Sequence, residues 1–108
     1  MFVNGVVSVK TNILPKQILA ELMNIEKIFK RVRHLKNQSR VIDLDLLCYN
    51  EIILKDKHLE LPHPRMHLRR FVMQPLCDIN KEWVHPILKE KAKNILKKLA
   101  NQKIYNIN

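Results

Sequence analysis

Residues 40–50 read RVIDLDLLCYN, an apolar run that carries two aspartates, Asp43 and Asp45, one residue apart. Residue type and length make it a strand, and a strand points residues i and i+2 to one face, roughly 7 Å apart along the chain. Two carboxylates placed this way cannot be buried alone, because each would give up its hydration with nothing in return. The fold must therefore leave one face of the strand open while Ile42, Leu44 and Leu46 pack into the core behind it. Paired hard oxygen donors suit Mg²⁺, which is usually held by one or two carboxylates together with substrate phosphates. Two such ions about 4 Å apart can clamp a transferring phosphoryl group. An edge strand with a polar outer face is the alternative that this pattern leaves open.

The surrounding pattern predicts an α+β chain. VNGVVSVK, residues 3–10, is β-branched and roughly alternating, so it reads as a strand. Thr11 or Asn12 can cap a helix with Pro15 near its first turn. Ile18, Leu22, Ile25, Phe29 and Val32 recur at steps of three and four, which predicts one apolar stripe on a helix from about Pro15 to about Arg31. NEIILKD, residues 50–56, reads as the second strand of a hairpin turning at Asn50 and Glu51. LPHPR, residues 61–65, breaks regular structure, since each proline restricts its own φ and the residue before it. Pro64 can open a short helix with Leu68, Phe71 and Val72 facing inward, ending near Pro75. The tail from Ile87 to Lys103 predicts a helix with Ile87, Leu88, Ile95, Leu96 and Leu99 on one side and lysines on the other. Strand, helix, strand, strand, helix gives helices on one face of a mostly antiparallel sheet. With 108 residues this is a single domain, residues 1–108.

Composition narrows the chemistry. Gly5 is the only glycine, so neither a dinucleotide fingerprint nor a P-loop can be built. Twenty basic residues against ten acidic ones give a formal charge of +10, which favours polyanionic partners without choosing among them. Cys48 and Cys77 are isolated, Cys48 reading as a small core residue, and a reducing cytoplasm is the expectation. No signal peptide or long apolar span places the chain in a membrane.

Arginines surround the acid pair. Arg31 and Arg33 close the long helix, Arg40 opens the aspartate strand, and Arg69 and Arg70 follow the proline break. Guanidinium forks match phosphate oxygens, so this set reads as a polyphosphate clamp; Arg31 and Arg33 equally suit a helix C-terminus. Glu26 could hydrogen-bond a ligand above the sheet, or simply pair with Lys30 one turn on. His63, held between prolines, suits a phosphate contact or proton handling, or is an exposed loop histidine. Phe71 fits the core by periodicity, or offers a face for stacking a flat ring. His34, His58, His67 and His85 show no metal-ligand spacing, and Trp83 packs the link to the last helix.

Taken together, FVNGVVSVKT, IEKIFKRVR, SRVIDLDLL and LPHPRMHLRRFVMQPL resemble, in this order and spacing, the bacterial 6-hydroxymethyl-7,8-dihydropterin pyrophosphokinases of folate biosynthesis. The resemblance covers nearly all the chain and fades in the final helix. It implies a ferredoxin-like fold and transfer of a diphosphate from MgATP to the hydroxymethyl group of the pterin, leaving AMP. By that resemblance Asp43 and Asp45 hold two Mg²⁺ ions between the nucleotide phosphates and the attacking hydroxyl. Arg31, Arg33, Arg40 and Arg69 bind or stabilise the phosphates, and Glu26 and His63 belong to the nucleotide site. Asn4 hydrogen-bonds the pterin edge, Phe71 stacks on the ring, and Phe2 lies on its other side. Asp43 also faces the pterin.

Family members begin with a strand carrying Gly-Ser-Asn, a helix and a second strand, so residues 1–108 correspond to the C-terminal two thirds of the family domain. Lys30, Gln38 and Leu68 depart from the family pattern at positions where glycine, a small residue and an acid are usual. The expectation is an ATP and Mg²⁺ site largely retained, a pterin site incomplete, and activity impaired or lost. A small basic RNA- or polyanion-binding module is the alternative, disfavoured by the lack of interleaved aromatics for base stacking. A gene remnant without function is another. A fused or separate folate-pathway enzyme is not legible in the sequence.

Overall fold

The computed structural model describes the backbone of residues 5–35 and 43–100 and the side chains of residues 5–31 and 43–100. In chain order the elements are α1 (Pro15–Leu35), β1 (Leu54–Lys55), β2 (Glu60–Leu61), a 3-10 turn at Met66–Leu68, α2 (Arg70–Ile79) and α3 (Ala92–Lys98). The chain is α+β, as its pattern predicts.

α1 begins where the sequence places it, with Pro15 in first position, where its missing N–H costs nothing. The cap is different from the one expected. Ile18 N–H bonds the Leu14 carbonyl, so Leu14 stands at the cap, and the Gln17 side chain reaches back to Leu14 N–H at 2.9 Å. That is the returning half of a capping box. Thr11 instead accepts from Ile13 N–H at 3.2 Å in the preceding turn.

The sheet is much smaller than predicted. Among the described residues it is the antiparallel pair β1–β2, with Leu54 opposite Leu61 and Lys55 opposite Glu60. Residues 5–10 and 43–49 are not strands, because neither finds a ladder partner among the described residues. A turn does form at Asn50 and Glu51, with Asn50 at φ 51° and Ile52 N–H bonding the Tyr49 carbonyl at 3.1 Å. The hairpin closes one step later, where Asp56 N–H bonds the Leu59 carbonyl at 2.9 Å.

α2 runs straight through Pro75 rather than ending there. A proline inside a helix removes one backbone bond and crowds the carbonyl four residues back. Burial outweighs that cost: Met73 and Leu76, flanking Pro75, enter the core. Leu68 and Phe71, expected inward, are exposed, while Val72 packs against the core. The last helix is shorter than predicted. Residues 86–88 form a turn followed by Lys89 at φ 60°, and Ile87 and Leu88 are exposed. Val84 and Lys91 make an isolated antiparallel bridge just before α3. The remainder of the expected helix, from residue 101 on, lies outside the described residues.

The core is Met66, Met73, Leu76, Ala92 and Ile95, where α3 lies across α2. Trp83, Cys77, Leu96 and Leu99 pack around it, so Trp83 does hold the link to the last helix. Val6 and Leu47 also pack on it and carry the two coil segments to the same surface.

Candidate functional site

Two side chains set the position of the acid pair. Leu47 packs on the core, and its carbonyl accepts the His63 N–H at 2.7 Å, which ties residues 43–47 to the proline loop. From the other side, the Glu26 carboxylate on α1 accepts the Leu44 N–H at 2.7 Å. The residue it grips lies between Asp43 and Asp45. Both aspartates are exposed, with Leu44 half-buried between them, so the alternation read from the sequence survives without a strand assignment. Leu44 and Leu46 do not enter the main core. They face Leu19 of α1 across a cavity of about 330 Å³. Ile42 lies outside the described residues.

Asp43 and Asp45 share a second, smaller cavity of about 140 Å³ with Gly5, His63, Met66, Arg69 and Phe71. Asp45 and His63 border both cavities, so they form the wall between them. The larger cavity also meets Lys57, His58, Leu59 and Glu60 from the hairpin. Neither aspartate makes an ion pair with a described residue. Among the described residues no cluster of three or more His, Cys, Asp or Glu side chains could enclose a metal. A cation here would therefore take two protein carboxylates and draw its other ligands from water or a bound molecule. Mg²⁺ is a hard ion that keeps waters and substrate oxygens, so the donor set fits it.

His63 is half-buried, and its Nδ1 accepts the Arg65 N–H at 3.1 Å. The neutral ring therefore carries its proton on Nε2 and is a hydrogen-bond donor. Burial pushes its pKa down, Asp45 pulls the other way, and Arg69 and Arg65 again lower it. These four residues thus lie within electrostatic reach of one another. Arg65 was not among the expected phosphate ligands, although the quoted LPHPR segment contains it.

Arg69 and Arg70 part company. The Arg69 guanidinium sits 5.7 Å from the Phe71 ring centroid and lines the smaller cavity. Arg70 points its Nη1 at the Ala100 carbonyl, 3.4 Å away at the end of α3. Phe71 is 43% exposed, so it is not the core residue that periodicity allowed. Arg31 is an exposed residue of α1 that borders neither cavity. Phe2, Asn4, Arg40 and the side chain of Arg33 lie outside the described residues. His58, bordering the larger cavity, was passed over in the sequence for want of metal-ligand spacing; only the hairpin brings it there.

A family model described as 7,8-dihydro-6-hydroxymethylpterin-pyrophosphokinase matches residues 1–81. The chain belongs to this family. It is similar to the 2-amino-4-hydroxy-6-hydroxymethyldihydropteridine pyrophosphokinase of Haemophilus influenzae, at 36% identity over 99% of this chain and 66% of the relative. The Synechocystis protein of the same name is 39% identical over 79% of this chain and 44% of its own length. The folic acid synthesis protein fol1 of Pneumocystis carinii is 43% identical over 80% of this chain, which is 12% of that protein. The chain thus spans two thirds or less of the curated relatives it matches. The pyrophosphokinase family match ends at residue 81, so α3 and the loop before it lie beyond it.

Proposed function

We propose that this pyrophosphokinase-family chain takes part in the transfer of a diphosphate from ATP to the hydroxymethyl group of 6-hydroxymethyl-7,8-dihydropterin. The pterin oxygen attacks the β-phosphorus, the bond from the α-phosphate bridging oxygen to the β-phosphorus breaks, AMP leaves, and the hydroxyl proton passes to solvent. The family's ferredoxin-like arrangement and its two Mg²⁺ ions belong to the same reading. The observation that carries it is the pair Asp43 and Asp45, exposed and without an ion pair among the described residues, in one small cavity with His63, Arg69 and Phe71.

Phosphoryl transfer asks mainly for positioning and charge stabilisation. Asp43 and Asp45 would hold Mg²⁺, which when bound neutralises phosphate charge. Arg69 supplies a planar fork of donors for phosphate oxygens. His63, neutral with its proton on Nε2, donates a hydrogen bond without adding charge. Phe71 offers an exposed face to a flat ring. Glu26 positions the acids by gripping the peptide between them. Arg31, Arg33 and Arg40 are proposed to reach the phosphates, and Phe2 and Asn4 the pterin.

The test is calorimetric titration of the full chain with MgATP, followed by measurement of AMP release with the hydroxymethyl pterin. Mg²⁺-dependent nucleotide binding that disappears in Asp43→Asn, Asp45→Asn supports the site. Binding that is indifferent to Mg²⁺ and to both substitutions, or a salt-dependent affinity for RNA without nucleotide preference, overturns it.

A further inference from the structure

The chain carries a second group of rings that the proposed chemistry does not use. His85 is 3% exposed and is the one buried polar residue among the described residues. Its Nδ1 accepts the backbone N–H groups of Ile87 at 3.2 Å and Leu88 at 3.0 Å. A nitrogen that accepts holds no proton, so the neutral ring is protonated on Nε2. That atom is buried without a partner, and so is Nδ1 of His67. The two rings stand edge to face, 5.4 Å apart at 76°. Trp83 stands edge to face as well, at 5.7 Å and 77°.

The same short segment is tied by main-chain bonds. His85 N–H bonds the Glu90 carbonyl, Lys89 N–H bonds the His85 carbonyl, and Ala92 N–H bonds the Trp83 carbonyl. Residues 83–92 thus form a strap that closes around one imidazole and delivers Ala92 and Ile95 of α3 to the core. A protonated imidazole is a donor at both nitrogens and an acceptor at neither. Proton uptake would strip Ile87 and Leu88 of their shared acceptor and place a cation in a nearly closed site.

We propose that His85 is an acid-sensitive latch: neutral, it closes the 83–92 strap and docks α3 on α2; protonated, it releases both. α2 is one side of this contact and Met66 of the 3-10 turn shares its core; Phe71 lies on α2 and Arg69 joins the two elements, so opening the latch would loosen that wall of the site. The groups facing His85 are few. His67, from the 3-10 turn, is the charge that acts on it. Trp83 is uncharged, and the Cys48 thiol that it hydrogen-bonds is pushed up by burial and stays neutral in acid. Glu90 pairs with Lys98. Burial first, and His67 second, hold His85 below the ordinary histidine range. The unfolded chain then binds the proton more readily, so stability is full above about pH 6.5 and declines as pH falls below it.

Ring-resolved histidine NMR on the full chain tests the latch directly. The expected result is a proton on Nε2 of His85 near neutral pH and a titration midpoint below the ordinary histidine range. Amide protection of Ile95 and Leu96 should fall with that titration, about tenfold or more after correction for intrinsic exchange. His85→Asn keeps an acceptor near the Nδ1 position but cannot titrate, so it should flatten the pH dependence. His67→Phe should raise the His85 midpoint. A His85 proton on Nδ1, a midpoint within or above the ordinary histidine range, or wild-type pH dependence in His85→Asn overturns the proposal. Should His85→Asn fail to fold, the ring titration of the unaltered chain decides alone.

Discussion

Residues 5–53 and 54–100 face the same solvent with opposite results. Every buried side chain among the described residues lies in the second segment, from Leu59 to Ile95. The first holds none among its described residues, and many of its apolar residues stand in the open: Val7 is 83% exposed, Val9 74%, and Ile25, Ile28 and Phe29 of α1 are exposed too. α1 carries an apolar stripe of its own, at Ile18, Leu22, Ile25 and Phe29. What differs is the opposing surface. α2 has α3 across it, with Ala92 small enough to let the helices approach and Ile95 to fill the gap. α1 meets the segment 43–49, half-buried except at Asp43 and Asp45, along part of one side and little else among the described residues. Periodicity tells a segment to be a helix; only a facing surface lets it bury its stripe. The proposed cation ligands sit in the uncored segment, while their partners Arg69 and Phe71 ride on the cored one.

The comparison breaks most readily at Met73. Met73→Ala should cost about 2–5 kcal/mol, since it empties a fully buried position in a packed core. Ile28→Ala on the exposed face of α1 should stay within about 0.5 kcal/mol. Equal shifts in denaturant midpoint would show that α1 is buried in solution.

Asp45→Asn is the next test, and it should separate binding from folding. It should weaken Mg²⁺-dependent nucleotide affinity about tenfold or more, roughly 1.4 kcal/mol. The denaturant midpoint near neutral pH should not fall, because Asp45 is exposed and makes no ion pair with a described residue. A lowered midpoint would assign Asp45 to the scaffold.

Glu26→Ala should cost about 1–2 kcal/mol through the lost bond to Leu44 and speed exchange of that amide. Glu26→Gln keeps an acceptor oxygen and should recover most of the protection. The same loss in both variants would show that the link between the segments needs charge rather than an acceptor.

The smallest effect belongs to the Lys16–Asp56 pair, which joins α1 to the hairpin. Lys16 holds the Asp56 carboxyl below its ordinary range, so whatever the pair contributes is present at neutral pH and lost as acid protonates Asp56. Both groups meet solvent, and water and salt screen the pair. Lys16→Met should leave the midpoint near neutral pH unchanged, and a clear drop would mean that the two segments are held together by charge.

Part of the local chemistry was legible, although the cap of α1 fell on Leu14 rather than Thr11 or Asn12. Pro15 starts α1 because a fixed φ and a missing N–H suit a first turn, whatever lies nearby. The D-x-D spacing put Asp43 and Asp45 on one side of the chain, and they do share a cavity. The order of the motifs was enough to recognise the pyrophosphokinase family. What pattern could not decide is anything that depends on a partner. Residues 5–10 and 43–49 have strand-like composition, yet a strand is a relation between two backbones, and among the described residues neither has a ladder partner. Pro75 predicts a helix end, but the burial of Met73 and Leu76 overrides it. Ile87 and Leu88 continue a helical stripe on paper, but their amides turn to His85 Nδ1 instead. Arg69 and Arg70 are adjacent and chemically identical, but Arg69 is the extended residue before α2 and lines the smaller cavity, while Arg70 opens the helix and reaches the Ala100 carbonyl just past α3. The sequence by itself determined which residues carry the chemistry for the proposed phosphate and metal site, because charge and spacing are local. The tertiary structure alone decided which of them meet, because that depends on which surfaces face one another.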